Sequence, residues 1–213
     1  MRLDKFIGHT TSLSRAEAKK SIKKGVLVNG RIVKTPDFKI DEFKDEVIVN
    51  EEKLIYQKYI YIMMNKPKDI ISATEDNKTK TVVDILDEQE RIFKPFPVGR
   101  LDKDTEGLML LTNDGDLAHK LTSPKKDIVK KYYVEVFGTI EDMHITYFKE
   151  GAILDDGYKC KSAILDILTS NETGSKAYIY ITEGKFHQVK RMMKSIGCEV
   201  THLKRLSIGE LVL

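Results

Sequence analysis

The segment at residues 99–115, GRLDKDTEGLMLLTNDG, constrains the fold and chemistry of this chain more than any other. It places an arginine, a carboxylate and two glycines immediately before the apolar run at residues 108–112. An apolar run of this length between turn-forming residues predicts a buried strand. The segment therefore joins a candidate reactive carboxylate, Asp102, to the strand that would hold it.

The composition indicates a folded protein of one or two domains. Of its 213 residues, 41% are apolar, which is enough for an ordinary core. No apolar stretch approaches the roughly 20 residues of a membrane helix, and the first residues lack the apolar region of a signal peptide. We therefore expect a cytoplasmic protein with no membrane partner. The two cysteines, Cys160 and Cys198, lack paired metal-ligand spacing, so neither a zinc site nor a disulfide framework is expected.

Basic residues are concentrated near the N-terminus, although the formal net charge is only +3. Residues 1–34 contain nine Lys and Arg against two acids, whereas residues 35–58 contain four against seven. Further basic clusters lie at residues 125–131 and 185–205. This distribution indicates a nucleic-acid partner, although any one cluster alone is more typical of a solvated charged face.

The first 50 residues predict two helices followed by a small sheet. Ser14 and Glu17 have the spacing of a capping box, and a glycine follows at position 25, so a helix is predicted over residues 15–24. A short helix containing Leu3 is predicted before it. Strands are predicted after it, at residues 26–28, 31–33 and 47–49.

Basic side chains recur along the predicted second helix. Arg15, Lys19 and Lys23 stand at i, i+4 and i+8 and form one stripe. With this stripe, the RLDKF sequence at residues 2–6 and the order of elements, the segment resembles the S-four-like RNA-binding module. The resemblance implies that the stripe binds RNA phosphates. The competing interpretation is a generic small α+β domain whose lysines serve solubility.

Residues 51–58 are polar and predict a linker, so we predict domains at residues 1–58 and 59–213. The second domain is predicted to be rich in strands, at residues 59–64, 108–112, 132–136, 163–168 and 177–182. Its helices are predicted near residues 82–86, 116–121 and 187–196. In the last helix Met192 and Met193 share the apolar face, which predicts core packing instead of a cofactor site.

Four segments of the second domain resemble the motifs of the pseudouridine synthases, in the family's order. They are NKP at residues 65–67, GRLD at 99–102, KKY at 130–132 and EGKFHQVKRM at 183–192. With the N-terminal module, the resemblance covers nearly the whole chain and is closest to the RsuA branch, which acts on 16S ribosomal RNA. It implies an α+β fold: a small S-four-like module followed by a mixed, mainly antiparallel sheet with flanking helices. It also implies that no cofactor and no metal is needed.

The resemblance implies roles for three residues. Asp102 corresponds to the family's carboxylate, which acts in its ionised form beside a flipped nucleotide. Lys190 corresponds to a basic residue expected to pair with that carboxylate and favour its charge. Tyr132 corresponds to the tyrosine that stacks on the target base. Tyr133 is the neighbouring alternative, which strand alternation would send to the opposite face.

Further residues are matched more weakly. Leu203 corresponds to an aliphatic residue of the base pocket, and Arg205 to a basic residue beyond it that contacts RNA. Core packing and surface charge are their competing interpretations. Arg100 is expected to hold RNA phosphate or to fill the space left by a flipped base, with a structural ion pair as the alternative. His187 is expected to be solvated or satisfied within the core, not catalytic.

A metal site is a rival interpretation, because the DxDxEG pattern at residues 102–107 imitates the start of an EF-hand loop. The twelfth position is Asn113 instead of a bidentate glutamate, and an apolar run stands where the loop should end. A calcium site is therefore disfavoured. Since neither Asp104 nor Asp114 matches a family position, both are expected to be dispensable for catalysis.

The predicted function is isomerisation of one uridine to pseudouridine in 16S ribosomal RNA, within an assembling small-subunit particle, by a cytoplasmic monomer. Two alternatives stay open: a synthase acting on large-subunit ribosomal RNA, and a non-catalytic RNA-binding ribosome assembly factor. The joint presence of Asp102, Tyr132 and Lys190 favours catalysis. RsuA-like chains usually continue beyond the segment at residues 205–213, so a truncated or naturally shorter chain is expected.

Overall fold

The computed structural model describes residues 1–213 and divides into two compact units. One consists of Met1–Ile60 with Ile85–Pro95, and the other of Tyr61–Asp84 with Phe96–Leu213. The second chain segment of the first unit was not expected from the sequence. The functional division at residues 1–58 and 59–213 remains a proposal.

The first unit contains two helices, four short strands and a one-turn helix. These are α1 (Leu3–Thr10), α2 (Arg15–Lys24), β1 (Val26–Val28), β2 (Arg31–Val33), β3 (Val47–Val49), β4 (Glu52–Leu54) and α3 (Glu88–Arg91). The strands form an antiparallel sheet in the order β2-β1-β3-β4. Its core is fully buried at Leu3, Phe6 and Ile22.

Helix α2 begins where its capping box predicts. The Ser14 hydroxyl accepts from the Glu17 amide at 3.3 Å, and the Glu17 carboxylate accepts from the Ser14 amide at 2.8 Å. These bonds satisfy amides that the first helical turn leaves free. The predicted linker at residues 51–58 is wrong in its first half, because Glu52–Leu54 pairs with β3 as an edge strand. Polar residues tolerate such an edge, since one side faces water.

The second unit is built on one large sheet. Its strands are β5 (Tyr61–Lys66), β6 (Phe96–Pro97), β7 (Glu106–Thr112), β8 (Lys130–Phe137), β9 (Ile164–Asn171), β10 (Gly174–Ile181), β11 (Glu199–Ile208) and β12 (Leu211–Val212). Its helices are α4 (Gly115–Thr122), α5 (Asp142–Glu150) and α6 (Gln188–Ser195). The strand order is β5-β7-β11-β8-β10-β9, with β6 added to β7 and β12 to β11.

The predicted fold class is confirmed, since every strand pair of this sheet is antiparallel except β7 with β11. The parallel pair meets at Gly107, which is aligned with Arg205. Gly107 has φ +108°, and a Cβ there would lie 2.2 Å from the Arg205 carbonyl oxygen. Only glycine fits this crossing, which joins the strand carrying the GRLD loop to the centre of the sheet.

Two sequence predictions in this unit need correction. Residues 82–86 are not helical, because Thr81 and Asp84 close a turn: the Thr81 amide donates to the Asp84 carboxylate at 2.7 Å. Helix α5 and strand β11 were not predicted at all. The expectation for the methionines is confirmed, because Met192 and Met193 are fully buried. No helix is long and apolar enough to cross a membrane.

Candidate active site

The loop between β6 and β7, residues 99–105, carries Asp102 and is fixed by hydrogen bonds to its backbone. The Ser72 hydroxyl donates to the Leu101 carbonyl at 2.8 Å and accepts from the Leu101 amide at 2.9 Å. The Thr105 amide donates to the Asp102 carbonyl at 3.1 Å. These bonds fix the backbone on either side of the Asp102 side chain and leave its carboxylate available for other contacts.

Lys66 fixes the same loop from within the protein. Its side chain is fully buried, and its ammonium donates to the carbonyls of Pro67, Lys103 and Thr105 at 2.9, 3.3 and 2.8 Å. Burial lowers the pKa of Lys66, although nearby carboxylates oppose this effect. The role of the lysine in the NKP segment is therefore to position the loop.

Asp102 faces two basic side chains of the EGKFHQVKRM segment. Its Oδ2 lies 3.1 Å from Lys190 Nζ, and its Oδ1 lies 3.4 Å from His187 Nε2. The carboxylate is 28% exposed and remains open to a ligand. The structure thus brings together the predicted pair of Asp102 and Lys190. It also places His187 beside the carboxylate, a contact that the sequence did not predict.

Asp102, Lys190 and His187 form a charge cluster with a fourth residue, Asp104, which sequence reasoning missed. Its Oδ1 lies 2.5 Å from Lys190 Nζ. Burial opposes the charge of Lys190, but the hydrogen bonds that Lys190 donates to Asp104 and Asp102 outweigh this effect and raise the pKa of Lys190. Burial likewise opposes ionisation of Asp104, and Lys190 nevertheless lowers the pKa of Asp104. Lys190 is therefore a charged bridge between two carboxylates.

The segment that presents Lys190 and His187 is held by a buried polar network. Glu183, only 4% exposed, accepts from the Tyr158 hydroxyl at 2.8 Å and from the Gln188 amide group at 2.7 Å. The Glu183 bond raises the pKa of Tyr158. Gln188 in turn accepts from the Lys185 amide at 2.8 Å. The only sequence signal for this network was that Glu183 and Gln188 lie inside the matched motif.

Tyr132, Leu203 and Arg205 share one face of the sheet. In the antiparallel pairing of β8 with β11, Arg205 is opposite Tyr132 and Leu203 is opposite Val134. Tyr132 is 8% exposed and lines the same cavity as Asp102. Tyr133 points to the other face, where its hydroxyl donates to Glu135 at 2.6 Å. The geometry thus favours Tyr132 over Tyr133 as the stacking tyrosine.

Arg205 is a buried residue that lines the same cavity as Asp102, and the RNA contact expected for it stays a prediction. It is 3% exposed, and its Nε donates to the Leu108 carbonyl at 2.8 Å. Its Nη2 is buried without a hydrogen-bond partner. Burial and repulsion from Arg205 lower the pKa of the neighbouring Lys130. Arg205 therefore joins β7 to β11 and adds positive charge beneath the cavity.

These side chains surround a cleft of about 730 Å³, within the range of small-molecule sites. Its lining includes Arg100, Asp102, Tyr132, Phe186, Lys190 and Arg205. Arg100 is exposed at the cleft and has no ion pair within 4 Å, so the structural ion pair considered for it is absent. Leu203 lines a smaller adjoining cavity together with Asp102 and Lys190.

The basic stripe of α2 is exposed at Arg15, Lys19 and Lys23. Arg15 also lies 3.5 Å from the buried carboxylate of Asp4, which Arg2 binds through two hydrogen bonds of 3.0 Å. The two lysines have no such partner.

A metal site was the rival interpretation of the sequence. No group of three or more His, Cys, Asp or Glu side chains has an arrangement that could hold a metal ion.

Comparison with known families matches both parts of the chain. The family model for RNA pseudouridylate synthase matches residues 60–195, and the model for the S4 domain matches residues 1–47. A crystal structure described as a pseudouridylate synthase aligns with a TM-score of 0.67 at 36% identity, covering 100% of this chain and 90% of that one.

Characterised and uncharacterised relatives align over almost the whole chain. An uncharacterized RNA pseudouridine synthase, YtzG of Bacillus subtilis, is 47% identical, with 100% of this chain and 90% of the relative covered. The ribosomal small subunit pseudouridine synthase A of Haemophilus influenzae is 37% identical at 100% and 90% coverage. The ribosomal large subunit pseudouridine synthase B of Bacillus subtilis is 38% identical at 96% and 84% coverage.

Proposed function

The chain belongs to the RNA pseudouridylate synthase family, in its RsuA-type branch, and from this premise we propose that it converts one uridine of 16S ribosomal RNA to pseudouridine. Asp102 is the proposed catalytic residue, Lys190 its charge partner and Tyr132 the stacking platform. The observation that carries the proposal is the 3.1 Å contact of Asp102 with Lys190 in a cleft that Tyr132 also lines.

The reaction is an isomerisation, so its atoms balance without a second substrate. The bond between C1′ of the ribose and N1 of uracil breaks, and a bond between C1′ and C5 forms. C5 loses its hydrogen and N1 gains one. Asp102 serves this sequence as nucleophile or base, which requires the ionised carboxylate beside the target nucleotide.

The surroundings of Asp102 support an ionised and directed carboxylate. The Lys190 ammonium stays protonated and supplies a positive charge, because the two carboxylates that it bridges raise the pKa of Lys190. His187 offers a second nitrogen at 3.4 Å. Neither side chain blocks the carboxylate, which keeps part of its surface open to the cleft.

The cleft is suited to a nucleotide that has left its helix. Its volume of about 730 Å³ accommodates a base and a ribose, and Tyr132 supplies a flat surface for the base. A tyrosine ring stacks on uracil in any rotation about the stacking axis, so it can hold the detached base while C5 turns toward C1′. Arg100, exposed at the cleft, is the proposed residue that holds a phosphate or fills the space left by the flipped base.

The S4 domain supplies the proposed affinity for RNA. Lys19 and Lys23 are exposed on α2 without ion pairs, and Arg15 continues the stripe. Contacts of such side chains with phosphates are independent of base sequence and are weakened by salt. They therefore anchor the RNA, whereas the cleft selects the reacting nucleotide.

The choice of 16S ribosomal RNA rests on relatives named small subunit synthases that align with the complete chain, including those of Haemophilus influenzae and Escherichia coli. The comparable identity of a large subunit synthase, 38%, supports the alternative substrate, 23S ribosomal RNA. The non-catalytic alternative is disfavoured, because the chain retains Asp102, Lys190 and Tyr132 in one cleft.

The test compares substrates directly. The purified protein is incubated with 16S and 23S transcripts and with immature small-subunit particles, and pseudouridines are mapped at nucleotide resolution. We expect one new pseudouridine in 16S RNA that is absent with Asp102→Asn. Modification of 23S RNA alone would establish the alternative substrate. No modification of any of the three would overturn the proposed activity.

A further inference from the structure

Phe186 is the most exposed large apolar side chain of the protein, at 77%. It precedes α6, between Lys185 and His187, on the segment that presents the charge cluster to the cleft. Leaving a phenylalanine ring in water forgoes the favourable free energy that burial of its apolar surface would give. An aromatic ring held in solvent at the rim of an active site is a candidate contact surface.

The ring is ordered by a stack on its neighbour. The centroids of the Phe186 and His187 rings lie 3.8 Å apart, and the ring planes differ by 17°. His187 is in turn 3.4 Å from Asp102, so the stack is continuous with the charge cluster. One face of Phe186 is covered by the imidazole. The other face is left to solvent, as the 77% exposure requires.

The turn beneath the stack fixes its direction. The Gln188 amide donates to the Lys185 carbonyl at 3.1 Å, and the Lys185 amide donates to the Gln188 side chain at 2.8 Å. Gln188 is itself buried against Glu183. A flat surface on a fixed turn loses little conformational entropy when it binds a ligand.

The charges around Phe186 favour a nucleic acid over an apolar protein segment. Phe186 lines both the cleft with Asp102 and a second cavity, which is bordered by Lys190, Arg191 and Lys194 and by two aspartates, Asp155 and Asp156. Arg191 is paired with Asp155 and Asp156, but Lys194 is exposed and has no ion pair. An aromatic face with a free cation beside it binds a base through stacking and its phosphate through charge.

We propose that the solvent-facing side of Phe186 stacks on an RNA base one nucleotide from the target uridine. This inference rests on the proposed function, because it takes the uridine at Asp102 as the reference point. Flipping one nucleotide removes a stacking neighbour from the bases on either side. Phe186 replaces that neighbour, and Tyr132 separately holds the flipped base. The surface takes a base of any identity, since every base has a π-face.

The test uses variants of Phe186 that separate flatness from apolarity. Phe186→Ala removes the surface, Phe186→Leu keeps an apolar side chain that is not planar, and Phe186→Trp keeps a planar ring. The matched control is Phe137→Ala, which removes a phenylalanine that is 62% exposed at the far end of β8 from Lys130. All variants are made in the Asp102→Asn background, so that binding is measured without turnover.

The first probe is the 16S fragment that the wild-type protein modifies, with 2-aminopurine in place of either base next to the target. We expect Phe186→Ala and Phe186→Leu to raise Kd by about tenfold to a hundredfold, the loss of one stacked base. The 2-aminopurine fluorescence change on binding should disappear in both and persist in Phe186→Trp and Phe137→Ala. Unchanged Kd and fluorescence in Phe186→Ala would overturn the proposal, as would equal behaviour of Leu and Trp.

A second probe keeps this result apart from the proposed function. If the wild-type protein modifies no RNA, the proposed function has failed, and binding is then measured to pentauridylate and to the same oligonucleotide with one abasic position. The stacking surface predicts that the abasic position weakens binding to the parent protein but not to Phe186→Ala. Equal weakening in both proteins would overturn the stacking role even then.

Discussion

Lys190 makes its shorter contact with Asp104, at 2.5 Å, and its longer one with Asp102, at 3.1 Å. Asp104 therefore helps to hold the cation that supports Asp102, although the Asp104 side chain is itself 68% exposed. An exposed ion pair contributes little to stability on its own, but here it sets the position of an ammonium at the cleft. The sequence led us to expect that Asp104→Asn retains most activity, and this stays a prediction. The contact with Lys190 leads us to expect a partial loss.

Substitution of Asp102, Asp104 and Asp114 should give three different results. Asp102→Asn should lower the single-turnover rate by more than about a hundredfold, because it removes the reactive charge and retains the shape. Asp104→Asn should lower it by about threefold to tenfold, since Lys190 keeps one of two partners. Asp114→Asn should leave it unchanged, because Asn caps α4 as well as Asp does. Equal loss in all three variants would contradict these assignments.

The charge cluster should contribute stability over a defined pH window. The pKa of Asp104 is lowered from 3.8 by Lys190 despite burial, so its contribution is present above pH 3.8 and is lost as pH falls through the folded value. The pKa of Lys190 is raised from 10.5 by the two carboxylates despite burial, so its contribution is present below pH 10.5 and is lost above the folded value.

Urea unfolding of wild type and Asp104→Asn at several pH values measures this window. The stability difference between the two proteins should be constant from about pH 5 to pH 9 and should vanish at the acid end, where Asp104 is protonated. Lys190→Met should abolish the pH dependence of the difference. A difference that grows as the pH falls below 3.8 would have the wrong sign for a lowered Asp104 pKa.

Strands β7 and β11 approach each other closely at Gly107. Replacing this glycine should therefore destabilise the protein by more than backbone strain alone would. Gly107→Ala places a Cβ 2.2 Å from the Arg205 carbonyl oxygen at φ +108°. Gly157→Ala is the matched control, because Gly157 has φ +81° and no atom within 4 Å of the added Cβ. The control should lose about 1–2 kcal/mol in unfolding free energy. Gly107→Ala should lose clearly more, and equal losses would mean that the backbones separate easily.

Local signals in the sequence predicted the elements whose causes are local. The capping box at Ser14 and Glu17 gives the start of α2, and the apolar run at residues 108–112 gives the core of β7. Strand β11 was not predicted because six of its ten residues are polar and it contains bulges after Val200 and Arg205. Its identity as a strand follows from pairing with β8 and β7, which are distant in sequence.

The sequence predicted the site residues that match family motifs. It did not predict the residues that join the site only through tertiary contacts. The pair of Asp102 and Lys190 was expected from the family resemblance. The contacts of Asp104 with Lys190 and of His187 with Asp102 join residues about 85 positions apart, and Glu183 binds Tyr158, which lies 25 positions before it. Arg205 was matched to a residue that contacts RNA, with core packing as one alternative, and only the structure shows that its side chain is buried.

The basic stripe of α2 should control affinity and not chemistry. Replacing Arg15, Lys19 and Lys23 by Gln should weaken RNA binding and reduce the slope of log K against log salt by about 2, since each phosphate contact contributes roughly 0.7–0.9. The single-turnover rate at saturating RNA should persist. The charge-matched control replaces Lys78, Lys80 and Lys149, which are exposed and unpaired. An unchanged affinity and slope in the stripe variant, or a collapse of its saturated rate, would contradict this role.

Tyr132 gives the most direct test of how the base is held. Its hydroxyl makes no hydrogen bond within the protein, so Tyr132→Phe should fold normally and keep the flat surface. Tyr132→Ala removes that surface, and Tyr132→Leu fills much of the space without a planar ring. If stacking is the role of Tyr132, the single-turnover rate of Tyr132→Phe should stay near that of the wild type. The rates of Tyr132→Leu and Tyr132→Ala should both fall by about tenfold or more.

Release of tritium from C5-labelled uridine at saturating RNA measures this series, because C5 loses its hydrogen only when isomerisation is completed. Truncation of a buried aromatic residue typically destabilises a protein by about 3–5 kcal/mol, so circular dichroism and RNA binding must first establish that the Ala and Leu variants are folded. If folded Tyr132→Phe is as inactive as folded Tyr132→Ala, the phenol acts as an acid, a base or a hydrogen-bond partner of the substrate. If folded Ala retains full activity, Tyr132 is not part of the site, because no other aromatic side chain of β8 faces the cleft with Asp102.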